Sequence, residues 1–466
     1  MTQIARSRSF RHAVCAGDFI LPEFPMTPQP VPVPDLGSST RALELFHEAI
    51  PPQFFDALQT ARGNAVYTPC LTVWLLVYQR LFGNATLHAA VAHCLEVVAG
   101  RSTNKRVRDK TLSTNTAAYS QARSRLTVTT AEAVADHVST SLLGPPPPEG
   151  RTFLFDGTTV ALASNPQLRA RWPAGSNQHG PGNWPICHLA VAHDLETGLA
   201  VRPEVGAMYG PAADSELSLA LRLLPRIPAN SVLMADRNFG IFAFVHAAAQ
   251  AGHHTLTRLT QPRFQSMVRG AKKVGPGRWT LAWTPSKHDR KNRPDLATDA
   301  EVIVQLHEFV GFSGQTLGVV TTLDVAVEKL AALYARRWEI EADIRHLKQT
   351  LQADALRGQS PDMVLKELAM TAVAYNLVVQ VRRLAAERAK VAPKRIRFSA
   401  VRDLVRILLF DPKQRTAAEW VEWFERVLHE AGRSKLPNRP DRSYPREVIP
   451  RRRGFPDKKR TVKAVK

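Results

Sequence analysis

Tyr334, Arg337, Glu341, Arg345 and Lys348 recur at spacings of three, four, four and three residues. At about 100° per residue a helix gathers them on one face, a single acid among cations and a phenol. Leu333, Ile340, Ile344, Leu347 and Leu351 form an apolar stripe beside that face, the pattern of a helix packed on a sheet or on another helix. The same wheel sends Glu339 and Asp343 to solvent and leaves Glu341 at the margin of the buried seam. Glu341 is therefore the acid placed for chemistry, with cations beside it to hold an anion. The pattern also suits a solvated face whose Arg337–Glu341 and Glu341–Arg345 ion pairs add a few tenths of a kcal/mol each. The helix alone does not choose between these readings.

Two further acids bear on the choice. The apolar run Thr152-Phe-Leu-Phe ends in Asp156-Gly157-Thr158-Thr159, and Ser231-Val-Leu-Met-Ala235 ends in Asp236-Arg237-Asn238-Phe239-Gly240. Either aspartate alone can be a turn-forming or helix-capping residue. Together, at strand ends of one sheet, they share a crevice of the kind in which ligands bind. A helix that packs its stripe on that sheet brings Glu341 to the same place. Three carboxylates without a Cys or His cluster are hard oxygen ligands, suited to Mg²⁺ or Mn²⁺. Two such ions about 3.5 to 4 Å apart serve in-line phosphoryl transfer, and the nearby cations then hold phosphates.

The rest of the chain supplies the elements that must position these residues. Its 466 residues, 44% hydrophobic, allow a sizeable core and roughly two to four domains. A net charge of +21 and a pI near 10.3 point to a polyanion, most economically nucleic acid. No apolar run of membrane-spanning length and no secretory h-region is read, so the expected location is the cytoplasm. Cys15, Cys70, Cys94 and Cys187 are scattered, against both a disulfide framework and a zinc knuckle.

Residues 1–36 form a proline-rich leader, and 37–144 read as a helical region with basic residues between Arg101 and Arg125 that suit phosphate contacts. A Pro-rich linker at 145–150 precedes an α/β domain over 151–400. Within it, 262–323 is a β-rich insertion whose Lys287–Arg293 segment reads as a basic hairpin tip. Helices over 401–434 and a basic, disordered tail over 435–466 complete the layout.

With these residues in hand, the chain resembles the IS4-type bacterial insertion-sequence transposases, DDE recombinases with a ribonuclease H-like core. The resemblance rests on Asp156 in its strand-Asp-Gly-Thr-Thr setting, on Ala235 to Gly240, and on Tyr334, Arg337, Glu341 and Lys348, which match the family's Tyr-x2-Arg-x3-Glu-x6-Lys signature. It implies a ribonuclease H-like mixed sheet flanked by helices, an all-β insertion and an all-α N-terminal domain. It implies that Asp156, Asp236 and Glu341 are catalytic and hold two Mg²⁺ ions, with Mn²⁺ able to substitute. Tyr334, Arg337, Arg345, Lys348 and Arg237 would contact DNA phosphates, and Trp279 or Trp283 would stack on a flipped base. The implied activity is cleavage at the element's terminal inverted repeats and transfer of the 3′-hydroxyl into target DNA, by way of hairpin ends, by a homodimer on DNA. An inactive DNA-binding relict and a metal-dependent nuclease without joining are the alternative readings.

Overall fold

The structure, a computed structural model, describes residues 50–437 apart from 60–64, 99–103, 110, 179, 312–313 and 411–415. The expected leader, Cys15 and nearly all of the basic tail lie outside the described residues.

Local signals set several elements. Thr68 accepts a hydrogen bond from the Leu71 N–H (3.2 Å) and Pro69 occupies the first turn, so a helix spans Pro69–Leu81 as the Thr-Pro pair predicts. Helices Leu87–Val98, Ala117–Arg125 and Val128–Leu143 come next.

Nine strands then build one mixed sheet: β1 (Thr152–Ala161), β2 (Ile186–Asp194), β3 (Glu204–Ala207), β4 (Val232–Ala235), β5 (His254–Arg258), β6 (Lys272–Gly275), β7 (Arg278–Trp283), β8 (Val302–Val310) and β9 (Thr316–Thr321). Their order is β3-β2-β1-β4-β5-β9-β8-β7-β6. Only β1–β4 and β4–β5 pair in parallel; β1–β2, β2–β3 and the four pairings from β5 to β6 are antiparallel. The 3-2-1-4-5 half is consistent with a ribonuclease H-like fold.

Two expectations about the insertion are corrected. It is not all β, because helices Gln261–Arg269 and Lys287–Asn292 lie within it, and its strands extend the central sheet through β5–β9. The Lys287–Arg293 segment is no hairpin tip: Ser286 and Asp289 close a capping box that starts a helix there.

Side-chain alternation divides β1 between two cores. Phe153 and Phe155 join a cluster that also holds Trp74, Val134, Leu219 and Tyr375. Leu154 and Val160 join another with Leu330, Tyr334 and Ile340. The first cluster runs through the helices before the 145–150 linker as well as the sheet, because helix Pro361–Arg388 packs on both Val128–Leu143 and Pro69–Leu81. That helix corrects the expectation that no apolar run reaches spanning length: it qualifies by length and composition, and 83% of its apolar window is buried inside the protein.

A buried ionic cluster ties the helical region to this central helix. The Glu367 carboxylate accepts Arg123 (2.9 Å) and the N–H groups of Arg357 (2.9 Å) and Gly358 (3.1 Å), with Arg80 at 4.0 Å. Arg80 and Glu367 are each only 2% exposed. Removing one partner strands the other charges in a dry interior. Glu367→Ala is expected to cost about 3–5 kcal/mol in urea unfolding, in one transition reported equally by probes in the N-terminal helices and in the sheet. Two separated transitions would contradict this shared core.

Candidate active site

Strand pairing sets the first two acids. The parallel register runs Thr152↔Val232, Phe153↔Leu233, Leu154↔Met234; two residues past the last pair on each strand come Asp156 and Asp236, close enough for the Asp236 charge to act on Asp156. There β4 stops while β1 continues to Ala161, held by β2 on its other side. Asp156 is therefore in mid-strand, not at a strand end as its sequence suggests; the break beside it belongs to β4.

Both carboxylates are anchored locally. Asp156 Oδ1 accepts the Gly157 N–H (2.8 Å), and Asp236 Oδ1 accepts the Asn238 N–H (2.8 Å). Burial pushes the Asp156 carboxyl up to about 6, and the negative charges of Glu216 and Asp236 add to the rise, although the Gly157 N–H and Arg337 oppose it. Acids that repel each other in a half-dry site are the electrostatic setting of a divalent cation, and their oxygens suit Mg²⁺ or Mn²⁺.

Alternation along β1 puts Asp156 on the face of Leu154, the face on which Tyr334 and Ile340 pack. The Tyr334–Lys348 segment accordingly comes to the site. Tyr334 is buried, and burial pushes its phenol up to about 12; Arg337, Arg258 and Asp236 all lie within its electrostatic reach. Arg337 also acts on Asp156. Lys348 Nζ donates to the Thr159 carbonyl (2.7 Å) and approaches Thr158 Oγ1 (3.3 Å), two residues beyond Asp156. Asp156, Asp236, Tyr334, Arg337 and Lys348 thus lie in one neighbourhood.

Other predicted residues stand apart. Glu341 is exposed and has no hydrogen bond or ion pair with a described residue, so neither i,i+4 pair expected of it forms. Among the described residues no three Asp, Glu, His or Cys side chains lie close enough to hold one ion, so Glu341 does not close on the two aspartates here. Its helix nonetheless packs against β1. Arg237 and Arg345 are exposed. Trp279 packs edge-on to Phe264 (5.9 Å) and Trp283 edge-on to Phe242 (5.7 Å), both half-buried against the apolar cluster that the insertion shares with the preceding helix.

The wheel is corrected for its other two acids. Asp343, read as solvent-facing, is 2% exposed, and the Glu339 side chain is 16% exposed. The segment is not one continuous helix: α-helix Val327–Ala335 passes through a 3₁₀ turn at Arg336–Trp338 into α-helix Glu339–Arg345 and a π turn at His346–Thr350. Each change of winding rotates the residues beyond it, so a fixed 100° step loses phase. Lys394 compensates the buried charge, reaching Asp343 Oδ2 at 2.8 Å and Glu339 Oε2 at 3.2 Å. Tyr375 donates to Asp343 Oδ1 (3.3 Å), and Arg336 donates to Glu339 Oε1 (2.8 Å). The helix bearing Glu341 is thereby clamped from behind.

Sequence reasoning missed Glu216. It opens helix Glu216–Leu223 after the Ser215 cap, where an acid reads as an ordinary first-turn residue. Its Oε2 receives Asn238 Nδ2 at 3.4 Å, and Asp236 and Gly157 both act on it.

The transposase DDE domain family matches residues 147–377, a span that contains Asp156, Asp236 and the whole Tyr334–Lys348 segment. The chain is also 26% identical over 315 residues to the transposase InsG for insertion sequence element IS4 of Escherichia coli strain K12, across 66% of this chain and 70% of the relative. The chain belongs to the IS4-type DDE transposases. Family members are DNA transposases whose DDE domains use divalent metal ions, in keeping with the carboxylates gathered beside the end of β4.

Acid should loosen the clamp behind this site. His193 packs edge-on to Tyr375 of that clamp (5.2 Å), and burial pushes its imidazole down to about 4. Burial acts upward on Asp343, but the charges of Lys394, His193 and Arg382 outweigh it and hold its carboxyl below the usual range. Both folded values lie below their unfolded ones, so the stability they contribute is present at neutral pH. The His193 part is lost as pH falls from about 6.5 towards 4, and the Asp343 part at still lower pH. The expected loss from His193 is about 3 kcal/mol, read as a lower urea midpoint at pH 4.5 than at pH 7, and His193→Asn should flatten that slope.

Proposed function

We propose that this chain cuts DNA at the terminal inverted repeats of its insertion sequence and joins the freed 3′-hydroxyl to target DNA. What supports the reading most is that Asp236 and Arg337 both act on Asp156 beside the end of β4, with Lys348 bonded to Thr159 of the same strand. Asp156, Asp236 and Glu341 are the proposed catalytic acids and would hold two Mg²⁺ ions, with Mn²⁺ as a substitute. Bound there, the ions would activate the attacking oxygen and stabilise the leaving one.

The chain's own residues do the rest. Arg337, fixed against Tyr334 and Asp156, offers its guanidinium to a phosphate beside the reacting strand. Lys348 sits two residues past Asp156 with donor capacity left after its bond to Thr159, and steadies charge that grows on the phosphoryl oxygens. Tyr334, with its phenol held protonated, donates and does not act as a nucleophile. Exposed Arg237 and Arg345 extend the cationic surface along the DNA backbone. The freed 3′-hydroxyl can attack the opposite strand, leaving hairpin ends before integration, and two copies of the chain hold the two ends together on DNA. The basic residues between Arg101 and Arg125 are proposed to contact DNA phosphates.

An assay of cleavage and joining on DNA carrying the element's ends, with Mg²⁺, tests this directly. Both products are expected from the parent chain and neither from Asp236→Ala. Lys348→Ala is expected to slow cleavage by about 10²-fold while Mn²⁺ binding stays unchanged. Cleavage without joining would favour a nuclease, and no cleavage by the parent chain would end the enzyme reading.

A further inference from the structure

Glu216 reaches the centre from the side of the sheet opposite the Tyr334–Lys348 segment. Its helix packs Leu219, Ala220 and Leu223 into the cluster of Phe153 and Phe155, whereas Tyr334 and Ile340 lie with Leu154. Gly157 shares the parity of Phe153 and Phe155 and so faces Glu216. A Cβ at Gly157 would collide with Glu216 Oε1 and crowd the rest of its carboxyl group. The missing side chain is thus a window in β1, next to Asp156, that the carboxylate fills.

The other oxygen, Oε2, takes the Asn238 amide, and Asn238 in turn gives its backbone N–H to Asp236. One side chain therefore touches both acid-bearing segments, strand β1 at Gly157 and the loop after β4 at Asn238. Glu216 also lines a cleft of about 760 Å³ with Thr158, Thr159 and His188, so it is reached from solvent. A purely structural side chain in that gap has no need of charge. A carboxylate set against two others raises their mutual repulsion, which only a cation offsets.

Building on the proposed metal-dependent centre, we infer that Glu216 is a positioning residue of that centre, spacing β1 at Asp156 from the Asp236 loop and adding a fourth negative charge towards the divalent cations. It acts through the two aspartates. The charge and the spacing are separable, because Gln keeps the shape and can still accept from Asn238 while it removes the charge.

The test is Mn²⁺ binding to the full chain without DNA, measured by electron paramagnetic resonance, together with the Mg²⁺ concentration giving half-maximal cleavage. Glu216→Gln is expected to weaken Mn²⁺ binding about 10-fold and to raise the required Mg²⁺ in parallel, with its thermal melt unchanged. Gly157→Ala, which drives the carboxylate out of its window, is expected to do the same. Parent-like Mn²⁺ binding by a folded Gln variant would overturn the inference. Should the Gln variant melt lower, Glu216→Asp decides: recovery of Mn²⁺ affinity supports the role of charge, and a loss equal to that of Gln overturns it. Asp156→Asn is the control for the centre itself; if it binds Mn²⁺ and cleaves as the parent does, the metal-centre reading and this inference both fall.

Discussion

Parallel pairing of β1 with β4 is the constraint on which the rest of the molecule depends, because the paired stretch leads on both strands to an aspartate, Asp156 and Asp236, and the charge of one acts on the other. Neighbouring strands lie about 4.8 Å apart, so two carboxylates held there repel strongly unless a cation or an arginine intervenes. A free turn would relieve the strain by swinging one acid away. Here that escape is limited: β1 is clamped on its far side by β2 along nearly its whole length, and the Asp236 loop is tied by its own Asx-type bond to Asn238.

Holding two charges in an unfavourable place needs a rigid surround. The Pro361–Arg388 helix supplies much of it, packing on the N-terminal helices and on the helices Phe398–Phe410 and Ala417–Arg433. Its Asn376 donates to the Ala200 carbonyl (2.8 Å) and accepts the Ala200 N–H (2.9 Å), so it binds the chain just past β2 as a strand would. Two of its buried charges are answered in place: Glu367 by Arg123 and two backbone N–H groups, and Lys366 by the carbonyl of Arg123 (3.1 Å). Such pairs add little net stability compared with apolar packing, but losing one partner is costly, which makes the arrangement sharply specified.

The segment carrying Glu341 obeys the same logic with a different outcome. Its acids are divided by what meets them: Asp343 is buried against Lys394 and Tyr375, Glu339 is shared between Arg336 and Lys394, and Glu341 is left without a partner among the described residues. The Glu341 helix is clamped from behind and packed on β1. The 3₁₀ and π turns on either side set that division, since they change which residues face inward.

Much of the centre was legible in the residues alone. The spacing of Tyr334, Arg337, Glu341 and Lys348, the two Asp-bearing runs after apolar strands, and the Thr68-Pro69 helix start are local patterns, and local patterns arise from backbone geometry and side-chain alternation that travel with the sequence. Every relation between distant segments needed the folded chain. The approach of Asp156 to Asp236 depends on a strand register spanning some eighty residues of chain. Burial of Asp343 depends on Lys394, fifty-one residues away, and on turns that break helical periodicity. The arrival of Glu216 depends on a glycine whose missing side chain means nothing until a helix packs over it. Chemistry-bearing residue types were written in the sequence; which of them share one site was decided by packing, because burial and charge compensation are properties of neighbours in space.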